Sequence, residues 1–269
     1  APLGNKTGIV IFPLARGTRD NTIGGPMPGA GNTIAFNGGP GVELAPDSET
    51  GNAIRGNSIF ANTGLGIDFG TGKVTLNDAG DTDTGPNNRQ NFPVLASALS
   101  AGNEVTIQGT LQSSANAVFD LDFFGNLACS PTGIGQGESF LGTVAVTTDA
   151  QGDASFTATF PASVAAGQFI TTTATDAGNN TSQFSQCAQV MPGAPLPKLV
   201  VTRPAAGDSV ILSWPASSPG FILEATDNLS PAALWLRVAE IPSVAGDRNS
   251  VTIKASSRSS FFRLRRPCP

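Results

Sequence analysis

The segment Gly31-Asn32-Thr33-Ile34-Ala35-Phe36-Asn37-Gly38-Gly39-Pro40-Gly41-Val42-Glu43-Leu44 recurs, 25 residues on, as Gly56-Asn57-Ser58-Ile59-Phe60-Ala61-Asn62-Thr63-Gly64-Leu65-Gly66-Ile67-Asp68-Phe69. A period of that length is one turn of a solenoid, a unit that buries its apolar face only by stacking on the next copy. Each copy holds two short apolar stretches separated by Asn and Gly, which suits β-strands joined by tight turns and does not suit a helix. Asn52-Ala53-Ile54-Arg55-Gly56 supplies a third strand per turn. Its counterpart is Asn21-Thr22-Ile23-Gly24-Gly25, and the earlier copy carries six extra residues, Pro26 to Gly31, that loop out at a corner. Three strands and three turns per repeat is the plan of a right-handed parallel β-helix.

Strand alternation points Ile9, Ile11, Val42, Leu44, Ile67 and Phe69 inward and puts Val10, Glu43 and Asp68 outside, one above another. Asn37 and Asn62 fall at equivalent corners. Asn tolerates left-handed backbone and carries both donor and acceptor, so the two are expected to form a side-chain ladder. The stretch from Leu3 to Ile11 already reads as the middle of a turn. A helix beginning there exposes unpaired edges, so the expectation is that upstream coils of the same protein are missing or that another surface caps the end.

From Phe92 onward the period changes to strict alternation, in Glu104–Gly109, Phe119–Phe124, Phe140–Val146, Ala154–Phe160, Gly167–Thr175 and Thr181–Gln186, with a turn at Thr148–Asp153. That spacing suits a seven-strand immunoglobulin-like sandwich. Met191-Pro192-Gly193-Ala194-Pro195-Leu196-Pro197 reads as a stiff connector. Beyond it, strands are expected at 209–214, 220–226, 235–238, 250–254 and 261–265; helix signals are nearly absent, the best candidate being the short stretch Pro231–Trp235. The expected division is therefore β-helix 1–91, sandwich 92–190, linker 191–197 and a small β domain 198–269. With 32 Gly, 20 Pro and 13% charged residues, the composition is that of a turn-rich all-β protein.

The run from Asn21 to Asn91, above all Gly51 to Asn62 and Asn77 to Asn88, resembles the C-terminal coils of large secreted bacterial proteins with right-handed parallel β-helix repeats. In that family an immunoglobulin-like module follows the coils, and residues 198–269 are similar to a fibronectin type III-like module at the ends of secreted bacterial proteins. The resemblance implies an extracellular or cell-surface location and a structural, adhesive or ligand-presenting role, with a polysaccharide or cell-surface ligand as partner. Members of this architecture also include polysaccharide-active enzymes, so a glycoside hydrolase or polysaccharide lyase with its groove on the β-helix face is the rival reading.

The chain has no His and no Tyr. Ser-His-Asp and Cys-His nucleophile systems and His-ligated zinc or copper sites are thereby excluded. What remains is carboxylate, Lys, Arg and Ca²⁺ chemistry. Stacked in register, Glu43 and Asp68 are expected about 5 Å apart, the separation of a retaining glycosidase pair, unless they are only a solvated outer face. Arg55, on a neighbouring strand, is either a salt-bridge partner or the base of a calcium-assisted lyase. Asp78, Asp81, Asp83, Asn87 and Asn88 lie in a Gly-punctuated loop that reads equally as a structural Ca²⁺ site or as a set of Asx turns.

Cys129 and Cys187 flank the sandwich and are placed to form a disulfide, leaving Cys268 over. Fifteen basic against twenty acidic residues give no basic stripe, which argues against a nucleic-acid partner, and no apolar run reaches a membrane span. Arg258, Arg263, Arg265 and Arg266 nevertheless make the C-terminal end locally basic. Trp214 lies in an alternating strand and is expected in the core, while Trp235 is the aromatic ring with a chance of exposure.

Overall fold

A computed structural model describes residues 4–12, 18–130, 133–161, 164–193, 197–204, 208–217, 220–230, 233–254 and 259–265. These residues are all-β apart from one 3₁₀ turn at Pro86–Arg89. They divide into two units, 1–193 and 194–269.

The first unit opens with short strands β1 (Ile9–Ile11), β2 (Thr22–Gly24), β3 (Thr33–Ala35), β4 (Val42–Leu44), β5 (Ala53–Arg55), β6 (Ser58–Phe60) and β7 (Ile67–Asp68). They pair in parallel as three columns, β1-β4-β7, β2-β5 and β3-β6. Thr22 faces Ala53 at a step of 31 residues and Thr33 faces Ser58 at a step of 25. The difference of six is the exposed corner Pro26–Gly31. Ile11, Ile34, Val42, Leu44, Ile54, Ile59, Ile67 and Phe69 are buried together between the columns. Each such side chain contributes roughly 1.5–3 kcal/mol of burial.

The chain then forms β8 (Val94–Ala101), β9 (Glu104–Gln112), β10 (Val118–Asn126), β11 (Ser139–Thr147), β12 (Asp153–Phe160), β13 (Phe169–Asp176) and β14 (Ala188–Pro192). They make one sheet in the order β11-β10-β13-β14-β8-β9-β12, curled to near closure so that its edge strands β11 and β12 approach each other. In β12 the alternation is complete: Ala154, Phe156, Ala158 and Phe160 face in while the residues between them face water. Phe123 packs its ring against Phe156 and Phe160, with centroids 5.6 and 5.2 Å away. The Cys129–Cys187 disulfide is formed, with Cα atoms 6.1 Å apart. Cys268 lies outside the described residues.

Two sequence expectations need correction here. Thr181–Gln186 is not a strand; it is an extended segment in which Ser182 and Ser185 use their hydroxyls as acceptors for the β13 amides of Ala174 and Thr172. The strands missed instead are β8 and β14. Met191 and Pro192, read as the start of the connector, end β14, which runs parallel to β8 through Val190↔Ala98.

The second unit contains β15 (Val200–Thr202), β16 (Ser209–Pro215), β17 (Ile222–Thr226), β18 (Leu236–Arg237), β19 (Ser243–Ala245), β20 (Arg248–Lys254) and β21 (Phe261–Arg265). They form the sheets β15-β16-β20-β19 and β18-β17-β21, with Leu212, Trp214, Leu223 and Val251 buried as a core. Trp214 is buried, as its alternating strand requires. Ala233–Trp235, the described part of the best helix candidate in the sequence, is not helical; positions 231 and 232 lie outside the described residues, as do Arg258 and Arg266.

Among the described residues of this unit, Glu224 is the buried charge. It accepts from Arg263 Nε at 2.9 Å and from Arg265 Nε at 2.7 Å. Burial opposes its ionisation, but the hydrogen bonds and charges of the two arginines outweigh that and hold its carboxyl below the ordinary carboxylate range. A depressed carboxyl pKa adds stability above the unfolded-state pKa of about 4.3 and loses it as pH falls through the folded value. Both tryptophans, Trp214 and Trp235, belong to this unit, so their fluorescence reports its unfolding alone. Urea midpoints read this way should fall on acidification below about pH 4.3, and Glu224→Gln should flatten that acid limb. An unchanged acid limb in the variant would show that another group carries it.

Candidate functional site

Parallel strands cannot close on themselves with a hairpin, so the last strand of each column presents a row of unpaired backbone groups. In this chain that row is met by the curled sheet and its extended segment. Asn180 Oδ1 accepts from Gly51 N at 2.7 Å, and Thr181 Oγ1 accepts from Ile54 N at 3.0 Å. Asp122 Oδ2 accepts from Gly56 N at 3.3 Å. Ile59 and Gly137 exchange backbone hydrogen bonds, both at 2.6 Å. Gln183 donates to Ile67 O at 3.1 Å and accepts from Thr75 N at 2.7 Å.

The same junction terminates the asparagine ladders. Asn5 N donates to Asn37 Oδ1, and Asn37 donates to Asn62 Oδ1 from its backbone at 3.1 Å and its side chain at 2.7 Å. The next position is taken by Gln136, whose Oε1 accepts from Asn62 N at 3.1 Å and whose Nε2 donates to Asn62 O at 2.7 Å. Gln136 thus supplies the amide that a further Asn would. A second ladder runs Asn21, Asn52, Asn87, and a third joins Asn32 to Asn57. Asn87 therefore belongs to a ladder rather than to an ion site.

Apolar contact completes the seam. Phe124 and Phe184 join the core of the three columns, with ring centroids 5.4 Å apart. Close approach there depends on glycine. A Cβ on Gly137 would lie 2.7 Å from the Phe184 ring and 2.8 Å from Phe124, and one on Gly66 would lie 2.7 Å from Phe184.

Arg55 crosses the same seam. Its Nη1 donates to Asp120 Oδ2 at 2.6 Å; Nη2 and Nε donate to the two oxygens of Asp122 at 2.8 and 3.2 Å. Thr143 adds a hydroxyl hydrogen bond to Asp122 at 2.6 Å. Asp122 is fully buried. Burial works against the Arg55 charge, but the hydrogen bonds and charges of Asp122 and Asp120 prevail and raise its pKa further. A guanidinium held in this way has no lone pair to act as a base. Of the two roles open to Arg55 in the sequence, the geometry has the ion-pair one.

Glu43 and Asp68 do sit opposite each other in register. The outward, solvated position expected for Asp68 is not what the structure has: it is only 3% exposed. Its carboxylate turns back to accept from Thr71 N at 3.2 Å and from Gly72 N at 3.0 Å, closing the turn after β7. Glu43 accepts instead from the Thr7 hydroxyl at 3.3 Å. The pair is thus engaged in separate local contacts.

The Asp78–Asn88 loop uses its oxygens internally as well. Thr82 donates to Asp78 from its hydroxyl at 2.7 Å and its backbone at 3.0 Å, which holds Asp78 below the ordinary carboxylate range. Asp81 accepts from Gln90 Nε2 at 2.6 Å, from Asn91 N at 3.1 Å and from the Ser113 hydroxyl. Burial nonetheless pushes Asp81 upward. Asp83 is half-buried and Asn88 exposed. Among the described residues, no three acidic, Cys or His side chains converge to hold a metal ion.

No family model matches the chain, and no curated protein matches it. Among solved structures, red sea bream transglutaminase is similar over 66% of this chain and 30% of that chain, at 15% identity and a TM-score of 0.22. A likeness that low carries no argument about fold or activity.

Removing the Arg55 guanidinium leaves Asp122 buried without its partner. Arg55→Ala should therefore destabilise the first unit by about 3–5 kcal/mol in urea unfolding followed by far-UV circular dichroism. Arg55→Ala combined with Asp122→Asn should recover part of that loss. A double-variant loss equal to the sum of the losses in Arg55→Ala and in Asp122→Asn alone would mean that the pair is not coupled. Calcium is expected to leave the thermal midpoint unchanged, since both Asp81 oxygens and Asp78 Oδ2 are already hydrogen-bonded and no acidic cluster converges among the described residues. A rise with Ca²⁺ that EDTA reverses would reinstate the ion site.

Proposed function

We propose that the first unit is the capped end of a right-handed parallel β-helix, with residues 4–75 as its last turns and an immunoglobulin-like sandwich at 92–193 as the cap. Its role is structural: it ends the solenoid without leaving a pairing edge and serves a secreted or cell-surface protein as an adhesive or ligand-presenting module. The observation that carries this reading is the partnering of last-turn donors, strand by strand, by Asn180, Thr181, Asp122, Gly137 and Gln136. An uncovered edge of this kind recruits other strands and aggregates. The Cys129–Cys187 disulfide supports an oxidising location.

The polysaccharide-cleaving alternative has less to stand on. Its base, Arg55, is committed to two aspartates, and one of its two carboxylates, Asp68, is buried in a turn. Nothing in the geometry favours that reading over the structural one.

A triple variant, Gln136→Ala, Asn180→Ala and Thr181→Val, tests the cap directly, because it removes acceptors for the edge while leaving the cysteines and the apolar seam intact. It should unfold earlier than the wild type and associate with rising concentration in light scattering. A variant as stable and as dispersed as the wild type would refute the capping role. Release of reducing ends or unsaturated sugars from a polysaccharide panel by the wild type, lost in Glu43→Gln, would favour the enzyme instead.

A further inference from the structure

The second unit carries a cationic face that the capping role does not use. In β18-β17-β21, Arg237 is opposite Glu224, and Glu224 is opposite Arg263, so the three form one row across the sheet. Residues facing each other on neighbouring strands share a face, as do alternate residues along one strand, so Arg265 joins that row. The opposite face carries Leu223, Phe262 and Leu264 into the core. The charged residues of the outer face are thus three arginines around one carboxylate among the described residues.

This group is preorganised. Glu224, 95% buried, holds Arg263 and Arg265 by their Nε atoms, while the two guanidinium side chains remain 43% and 50% exposed. Arg263 also lies over the Trp235 ring, its Cζ 4.2 Å from the centroid. Stacking and the buried carboxylate fix the fork geometry before any ligand arrives, which reduces the entropy that binding must overcome. Arg237 is exposed and has no acidic partner within ion-pair distance among the described residues.

We propose that this face binds an acidic polysaccharide through its carboxylate or sulfate groups. The chain as a whole carries a net charge of −5, so long-range attraction to any polyanion is absent and binding must come from the local cluster. A compact group of three arginines matches widely spaced anions on a sugar chain. Duplex nucleic acid, with one charge per roughly 1.7 Å, demands a longer basic stripe than this acidic chain provides. A membrane surface demands a broad flat basic patch. Guanidinium forks take both carboxylate and sulfate ester oxygens, so the two kinds of acidic glycan are distinguished by experiment. The inference deepens the ligand-presenting part of the proposed function, and its failure would leave the cap intact.

The test uses the full chain titrated with polygalacturonate, dextran sulfate and neutral dextran, followed by Trp fluorescence, to which Trp235 under Arg263 contributes a local signal. At least one acidic glycan should bind and neutral dextran should not, with affinity falling as salt rises. Arg237→Gln with Arg265→Gln should weaken binding about tenfold or more, while Lys254→Gln, on the other sheet, should leave it unchanged. A cooperative urea transition retained in the Trp signal would show that the double variant is folded. The proposal is overturned by binding that survives the double variant, by no binding to either acidic glycan, or by equally tight, Arg-dependent binding to duplex DNA or anionic vesicles.

Discussion

A parallel stack ends in backbone groups that point along its axis, and the rest of the first unit is arranged around that fact. Covering such an edge with apolar surface would strand each donor at a cost of about 1–3 kcal/mol. With donors on Gly51, Asn52, Ile54, Gly56, Ile59 and Asn62 the sum approaches the whole stability of a domain. The curled sheet with its connecting segments, together with Asn87, covers the edge with side-chain amides, a hydroxyl, a carboxylate and the Gly137 carbonyl placed where the next turn's acceptors would be. The apolar part of the seam, Phe124 and Phe184 against Ile59 and Ile67, then excludes water from those hydrogen bonds.

The charge at the seam follows from the same geometry. Asp122 accepts from Gly56 N, and a buried carboxylate without a counter-charge would be prohibitively costly, so Arg55 reaches across to it. That contact turns a residue with several chemical options into a fixed brace. Asp68 is likewise absorbed by the turn after β7. Two of the three groups that read as catalytic in the sequence, Arg55 and Asp68, are thus engaged in bracing the seam and closing a corner.

Much of this was legible before any coordinates. The 25-residue offset placed Ile34 on Ile59 and Val42 on Ile67, and the six-residue corner accounted for the longer step from Ile23 to Ile54. The Asn37–Asn62 ladder and the Cys129–Cys187 bridge were readable from position alone. What was hidden lay across the seam, because no local pattern marks Gln136 as the partner of a ladder Asn 74 residues earlier. The same holds for Asn180 and Thr181, whose alternating neighbours mimic a strand although their side chains serve the edge of β5. Asn87 carried two signals at once: it follows Asn21 and Asn52 as the third member of one column, while its acidic surroundings also suit calcium.

Native-state hydrogen exchange at the amides of Gly51, Ile54, Gly56, Ile59 and Asn62 tests the central claim most directly. If the sheet and its extended segment truly end the stack, these amides should exchange as slowly as Ile107 and Leu121 in the core of the curled sheet, through global unfolding alone. Exchange at the rate of a frayed, solvent-facing strand edge, with the core amides still protected, would contradict it.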